Sequence, residues 1–223
     1  MESRSCALRP GEVPFRAHGH RVNGGSGLRR CVDAGGLLAI RADRLVLRPF
    51  VFADVDDLFA IQSHPDVVRY LYWDVRSPPE VAAVVRRRTS QTGLNAEGDV
   101  LVLAVERCQD RRVIGDVSLW WRSVQHRQGE IGFVFHPDAQ AQGYAGEAAD
   151  ALLDLAFGRL GLHRVYGRTD ARNAASAALM RRLGMRQEAH LRHNEMFKGQ
   201  WADELVFAVL DDEWRERKAE SRC

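Results

Sequence analysis

The stretch Gln140-Ala141-Gln142-Gly143-Tyr144-Ala145-Gly146 sets small residues between an apolar run and an amphipathic one. Upstream, Ile131-Gly132-Phe133-Val134-Phe135 reads as a buried strand stopped by His136-Pro137. Downstream, Ala148, Ala149, Leu152, Leu153, Ala156 and Phe157 recur at helical spacing. The loop is therefore expected at a helix N-terminus, where unpaired backbone N–H groups point outward with the positive end of the helix dipole. Residues as small as Gly143 and Ala145 let an anion approach that backbone closely, as a pyrophosphate would. A glycine-containing strand-to-helix turn also serves as plain connection, so the loop alone leaves both readings open.

Spacing excludes two other phosphate motifs. No G-x-x-x-x-G-K-S/T occurs, and the loop lacks both the first glycine of G-x-G-x-x-G and its place in a leading strand-helix-strand unit. What remains is Q-x-x-G-x-A. Gln140, Gly143 and Ala145 match the acetyl-CoA pyrophosphate signature Q/R-x-x-G-x-G/A of the GNAT N-acetyltransferase superfamily. A second segment, Asp170-Ala171-Arg172-Asn173-Ala174-Ala175-Ser176 with Leu179 and Leu183-Gly184-Met185, resembles that superfamily's D-x-x-N-x-x-S-x-x-L-x-x-x-L-G-M/F block. The resemblance runs from about Arg44 to Trp214. It is nearest the ribosomal-protein N-terminal acetyltransferase (RimJ/RimL) branch, whose opening strand is similar to Arg44-Leu45-Val46-Leu47-Arg48-Pro49. The branch's fourth strand is similar to Gly129-Glu130-Ile131-Gly132-Phe133, and its late hairpin to Glu195-Met196-Phe197-Lys198-Gly199-Gln200-Trp201-Ala202-Asp203. Ala141 stands where many relatives have glycine, and Gly146 where many have a hydroxyl residue. Both departures bear on cofactor affinity.

The resemblance implies an α/β chain with the GNAT fold: a mixed, mostly antiparallel sheet, helices on both faces, and a splay between the fourth and fifth strands. It implies acetyl-CoA as cosubstrate, no metal, and direct attack of a primary amine on the thioester in a ternary complex. That chemistry demands a neutral nucleophile, a stabilised tetrahedral oxyanion, and a proton for the departing thiolate. By the resemblance, the backbone of Phe133, Val134 and Phe135 binds pantetheine like an added strand and supplies the oxyanion donor. Gln140, Ala141, Gln142, Gly143, Tyr144, Ala145 and Gly146 take the pyrophosphate, and Asn173 either holds the pantetheine arm or turns the chain from strand to helix. Glu195 is the first choice for the base, acting through a water. Its alternative is an exposed carboxylate paired with Arg192 or Lys198. Glu130 competes as base or as an orienting group, or pairs with a neighbouring arginine. Ser176 matches the residue that returns a proton to the CoA thiolate, and its alternative role is capping the helix after Asn173. The rival reading of the whole chain is a catalytically silent acyl-CoA-binding module.

These groups need a scaffold. A strand at Leu45-Val46-Leu47 precedes a helix from Val55, capped by Asp54, and a second helix runs from Pro78 toward Gly93. Strands at 100–106 and 113–120 form a hairpin, followed by a strand over Glu130–Phe135 and a helix over Ala145–Phe157. A strand at His163–Thr169, a helix at Ala174–Leu183, and strands near Leu191–Phe197 and Glu204–Leu210 complete the series. Residues 42–218 are expected to be one acetyltransferase domain. Residues 1–41, with scattered arginines and Gly24-Gly25-Ser26-Gly27, are expected to be a flexible extension. By the resemblance, the acceptor pocket lies between Ser63 and Thr92 and in the Glu195–Trp201 hairpin, and Tyr70, Tyr72 and Trp73 either pack in the core or form its wall.

At 223 residues and 45% hydrophobic, the chain can bury one sizeable core. A net charge of +2 without a helix-turn-helix or zinc pattern makes no case for nucleic acid. No apolar run approaches the ~20 residues that span a bilayer, so a cytoplasmic location without membrane attachment is expected. Cys6, Cys31, Cys108 and Cys223 form no C-x-x-C pair, and His126, His136, His163, His190 and His193 have no metal-like helical spacing. The expected partner is an amine acceptor, a peptide N-terminus ahead of a small-molecule amine, and a homodimer is allowed for.

Overall fold

A computed structural model of the chain describes residues 30–32 and 38–220. Nine strands form one sheet: β1 (Arg30–Val32), β2 (Leu38–Arg41), β3 (Leu45–Pro49), β4 (Val100–Arg107), β5 (Val113–Ser123), β6 (Gln128–Phe135), β7 (Arg164–Asp170), β8 (Arg186–Phe197) and β9 (Gln200–Leu210). Their order is β1-β2-β3-β4-β5-β6-β7-β9-β8. Among the described residues, six α-helices accompany it: α1 (Val55–Gln62), α2 (Pro65–Val68), α3 (Pro78–Arg88), α4 (Tyr144–Gly158), α5 (Ala174–Arg182) and α6 (Asp211–Glu220).

Period-two alternation along β4 explains the layering. Leu101, Leu103 and Val105 enter the core under α4, α5 and α6, whereas Val102 and Ala104 pack with Leu58 of α1 and Val81, Val84 and Val85 of α3 on the opposite face. Helices therefore cover both faces. Leu45, Leu47, Leu103, Leu119, Leu152 and Leu153 are fully buried, each contributing roughly 1.5–3 kcal/mol by leaving water.

One strand pair matters most for the site. All neighbours run antiparallel except β6 and β7, which are parallel and pair only at Gln128 with Arg164, Gly129 with Val165, and Glu130 with Tyr166. Beyond Glu130, β6 keeps its bonds to β5 as far as Phe135 and β7 keeps its bonds to β9 as far as Asp170. A wedge opens between them, the splay expected between the fourth and fifth strands counted from Leu45.

Several local expectations need adjusting. Asp54 stands at the N-cap of α1, but its carboxylate accepts from Val51 N at 2.8 Å and from the Arg48 guanidinium at 2.8 and 2.9 Å instead of capping the helix. Its nearby arginine is the stronger donor. Helix α3 ends at Arg88, short of Gly93. Strand β8 begins at Arg186, before the expected Leu191, and the terminal helix α6 was not anticipated. Within the expected extension, Leu38–Arg41 is a sheet strand: Ile40 pairs with Leu47 and is only 5% exposed. Residues 1–29 and 33–37 of that segment lie outside the described residues.

Candidate active site

Helix α4 begins at Tyr144, after Gly143 with φ +84° at its N-cap. Its first amides have no acceptor within the helix. The loop before it is tied down from beneath. Gln140 Nε2 donates to Phe135 O at 3.2 Å, Gln142 Nε2 donates to Asp138 O, and Arg44 Nη1 donates to Gln142 O at 3.0 Å. Arg44 also donates from its backbone N and Nε to the Glu147 carboxylate, at 2.7 and 2.8 Å, and lies 4.4 Å over the Tyr144 ring. The Tyr144 side chain is thus a buried platform, while Gln142 and Gly143 are exposed. Ala141 adopts φ +58°, the left-handed region that costs a non-glycine residue ~1–2 kcal/mol. Arg44 was not singled out in the sequence, because its partners lie about a hundred positions away.

A cavity of about 520 Å³ fills the wedge. Phe133 and Val134 line it from β6, whereas the Phe135 side chain is buried. Asn173 and Ser176 line it from the start of α5, where Asn173 Oδ1 accepts from Ser176 N at 3.1 Å. Asn173 is therefore the cap, and Ser176 is the residue being capped. On the far side, a bulge in β8 lets the four-residue step from Leu191 to Glu195 face the two-residue step from Glu204 to Ala202 on β9. Glu195 and Glu204 both reach the cavity.

The carboxylates differ in partners. Glu195 accepts from the Tyr72 hydroxyl at 2.8 and 2.9 Å. The alternative pairing with Lys198 does not form: that ammonium donates to Val68 O and Trp73 O at 2.9 and 3.2 Å and pairs with Asp74 at 3.0 Å. The lysine instead straps the β8–β9 turn to the segment before α3. Glu130, 8% exposed, accepts from Arg122 Nε at 2.7 Å and Arg168 Nε at 3.0 Å, one guanidinium on each oxygen. Glu204, 4% exposed, accepts from Arg168 Nη1 at 3.2 Å and Asn194 Nδ2 at 3.0 Å. Burial pushes the Glu204 carboxyl above its ordinary range; Arg168 opposes this, and Glu195 and Glu130 add to it. Sequence reasoning missed Glu204. Alternation along Gln200–Leu210 sets it on one face with Ala202 and Val206, which was the available signal.

Among the described residues no cluster of three or more His, Cys, Asp or Glu side chains could hold a metal ion, and no helix is long and apolar enough to cross a membrane. A parallel pair opened beside a strand edge, with a helix N-terminus at its end, is the architecture of an acyl-CoA-dependent acyltransferase. The chain belongs to the acetyltransferase (GNAT) domain family, whose model matches residues 44–186. YnaD, an uncharacterized N-acetyltransferase of Bacillus subtilis, is 32% identical over 175 residues, covering 78% of this chain and 98% of that protein. A GNAT-family acetyltransferase from Bacillus anthracis has a crystal structure similar to this one, with TM-score 0.69 and 28% identity over 78% of this chain and 99% of that one. Spermidine N-acetyltransferase from Vibrio cholerae, crystallised with CoA and spermine, matches with TM-score 0.66 over 77% of this chain and 98% of that one. At 21% identity that likeness is one of fold. The family places this chain among acetyl-CoA-dependent N-acetyltransferases and leaves the acceptor to the site.

Proposed function

We propose that this enzyme acetylates a primary amine in a ternary complex, with Glu195 taking the amine proton through a water and Ser176 supplying one to the departing thiolate. The observation that carries the reading is convergence: Val134, Ser176 and Glu195, from three separate elements, line one cavity in the β6–β7 wedge. The residues present suit acetyl-CoA. Beyond Glu130 the β6 edge has no β7 partner, so Phe133, Val134 and Phe135 can offer backbone groups there. Gln140 to Gly146 would take the pyrophosphate, with Gly143 and the first α4 amides closest to the charge, and Asn173 the pantetheine arm. When bound, acetyl-CoA supplies an activated acyl carbonyl. A C–N bond forms, the C–S bond breaks, the nitrogen loses one proton and the sulfur ends as a thiol.

Glu195 is preferred over Glu130 on partners. A base at Glu130 would have to give up one of two guanidinium bonds, whereas Glu195 is held by a single neutral hydroxyl. Glu130 then orients the site through Arg122 and Arg168. Two acceptor classes fit: a peptide N-terminus, supported by the resemblance to the RimJ/RimL branch, and a small amine, as the name of the Vibrio cholerae relative suggests. An α-amino group, with pKa ~7.7–8.0, asks less of the base than an alkylamine at ~10.4.

Thiol release measured over a panel of N-terminal peptides and small amines tests the reading. Sustained turnover that falls in Glu195→Gln and in Ser176→Ala, with acetyl-CoA binding retained, is expected. Acetyl-CoA binding without turnover of any amine would instead mark a silent binding module.

A further inference from the structure

Side chains of both charges line the cavity. Glu195 and Glu204 reach it from β8 and β9, while Arg76, Arg87 and Arg88 reach it from the segment before α3 and from its last turn. Arg88 is matched by buried Asp116, at 2.8 and 3.3 Å. Arg76 and Arg87 are not matched: among the described residues, no carboxylate lies within the 4.0 Å ion-pair distance of either. Arg76 Nη1 donates to Gln62 Oε1 at 2.6 Å, and its guanidinium lies 4.5 Å over the Trp73 ring. Burial, followed by repulsion from Arg88 and Arg87, lowers the Arg76 pKa, with Glu80 and Asp116 acting in the opposite direction.

Two more donors around Arg76 lack acceptors. The buried indole nitrogen of Trp73, a cavity-lining residue, has no hydrogen-bond partner, nor has the buried Nε2 of Gln62, whose oxygen already serves Arg76. Both of these nitrogens are closed off from the cavity, whereas the Arg76 guanidinium lines it without a carboxylate in ion-pair range, so an anionic group in the cavity would pair with that cation.

We propose that the acceptor is a small zwitterion, an amino-acid-like amine whose nitrogen docks at Glu195 and whose carboxylate is held by Arg76. The assignment rests on the amine-acetylating reading above and narrows it. Tyr72, bonded to Glu195, and Arg76 share one segment four residues apart, so their Cα atoms lie within about 14 Å. A small molecule can bridge that span. A polyamine, by contrast, would bring its second positive charge against Arg76 and Arg87, a repulsion that selects against it.

The test compares matched acceptors on the full-length enzyme: free amino acids, their methyl esters, the corresponding decarboxylated amines, and spermidine, each scored by kcat/KM in thiol release. At least tenfold preference for the free amino acids over their esters and amines is expected. Arg76→Gln should shrink that ratio at least tenfold, and Arg76→Lys should restore part of it. Arg87→Ala, on an exposed helical turn, should shrink the ratio too. Esters, amines or spermidine reacting as well as the free amino acids would overturn the zwitterion assignment and leave amine acetylation standing. So would an Arg76→Gln variant that slows every acceptor equally. If acetyl-CoA binds and no amine reacts, amine acetylation itself falls, and this assignment with it.

Discussion

The Tyr72 hydroxyl donates to both oxygens of Glu195, at 2.8 and 2.9 Å, and so joins the segment before α3 to the β8–β9 hairpin across 123 positions of sequence. Desolvation of the hydroxyl, followed by its bond to Glu195, pushes the Tyr72 phenol up to about 12. With the residue 69% exposed, the carboxylate is the firmer of these causes. At neutral pH the phenol keeps its proton and remains a donor. Tyr72 also meets Phe197 edge-on at 5.7 Å, so the hydroxyl is held by packing as well as by its bond.

If that bond orients the base, Tyr72→Phe should lower turnover by about tenfold, the value of one hydrogen bond of about 1.4 kcal/mol, with little change in acetyl-CoA affinity. Glu195→Gln should lose ~10²- to 10⁴-fold. The pair should be non-additive: in a Glu195→Gln background the phenylalanine change should cost far less. A Glu195→Gln enzyme turning over at the wild-type rate would remove Glu195 from the chemistry.

Glu204 makes a prediction about pH. Its folded-state pKa is raised, burial being the leading cause, so the native state binds that proton more tightly than the unfolded chain does. The ionised carboxylate therefore costs stability above its folded pKa, and the cost is removed as pH falls through that value. Glu204→Gln should melt higher than wild type near pH 8, and the difference should narrow toward pH 5. Melting curves for both proteins across that range decide it; a gap that widens on acidification has the opposite sign and would refute the assignment.

What could be read from the sequence was local. The loop around Gly143 and the Asp170–Ser176 block each lie within one strand-to-helix connection, so composition and spacing disclosed both turns, although the cap considered for Ser176 is made by Asn173. Alternation disclosed most strands. Contacts made across the fold stayed hidden: Arg44 under the loop, Tyr72 on Glu195, and Arg168 between Glu130 and Glu204 each join segments more than thirty residues apart. Asp54 shows a local rule overridden, since a cap site lost its side chain to the more strongly bound Arg48. Helix α6 has apolar Trp214 as its buried residue within a charged run, too little periodicity to announce a helix.

Arg48 tests the polar part of the core. Its guanidinium pairs with Asp54 at 2.8 Å and Glu106 at 2.6 Å, both carboxylates nearly inaccessible to solvent. Arg48→Met would leave Asp54 without its guanidinium partner and Glu106 with the exposed Arg111 as its remaining ion-pair partner. Loss of about 3–5 kcal/mol in denaturant unfolding is expected. A loss below about 1 kcal/mol would mean that solvent or Arg111 compensates both charges.

Ala141 carries strain that glycine would not. At φ +58° the alanine costs ~1–2 kcal/mol in the folded state, while glycine adds only ~0.4–1 kcal/mol of unfolded-chain entropy. Ala141→Gly should therefore stabilise by about 0.5–1 kcal/mol in urea unfolding. A destabilised variant would show that the Ala141 methyl makes a contact worth more than its strain.

Gly143 gives the sharpest test of where the pyrophosphate sits. Its φ of +84° disfavours any side chain, and a Cβ there would lie 3.2 Å from Arg44 Nη2, the far end of a side chain that can yield. Gly143→Ala should thus cost only the ~1–2 kcal/mol of left-handed strain and leave a folded protein. Gly143→Glu adds a negative charge where the first α4 amides would meet phosphate, so acetyl-CoA affinity by calorimetry should fall well over a hundredfold, far more than in the alanine variant. Comparing the two substitutions separates charge from strain. Equal affinities in the folded alanine and glutamate variants would move the phosphate site away from this helix end.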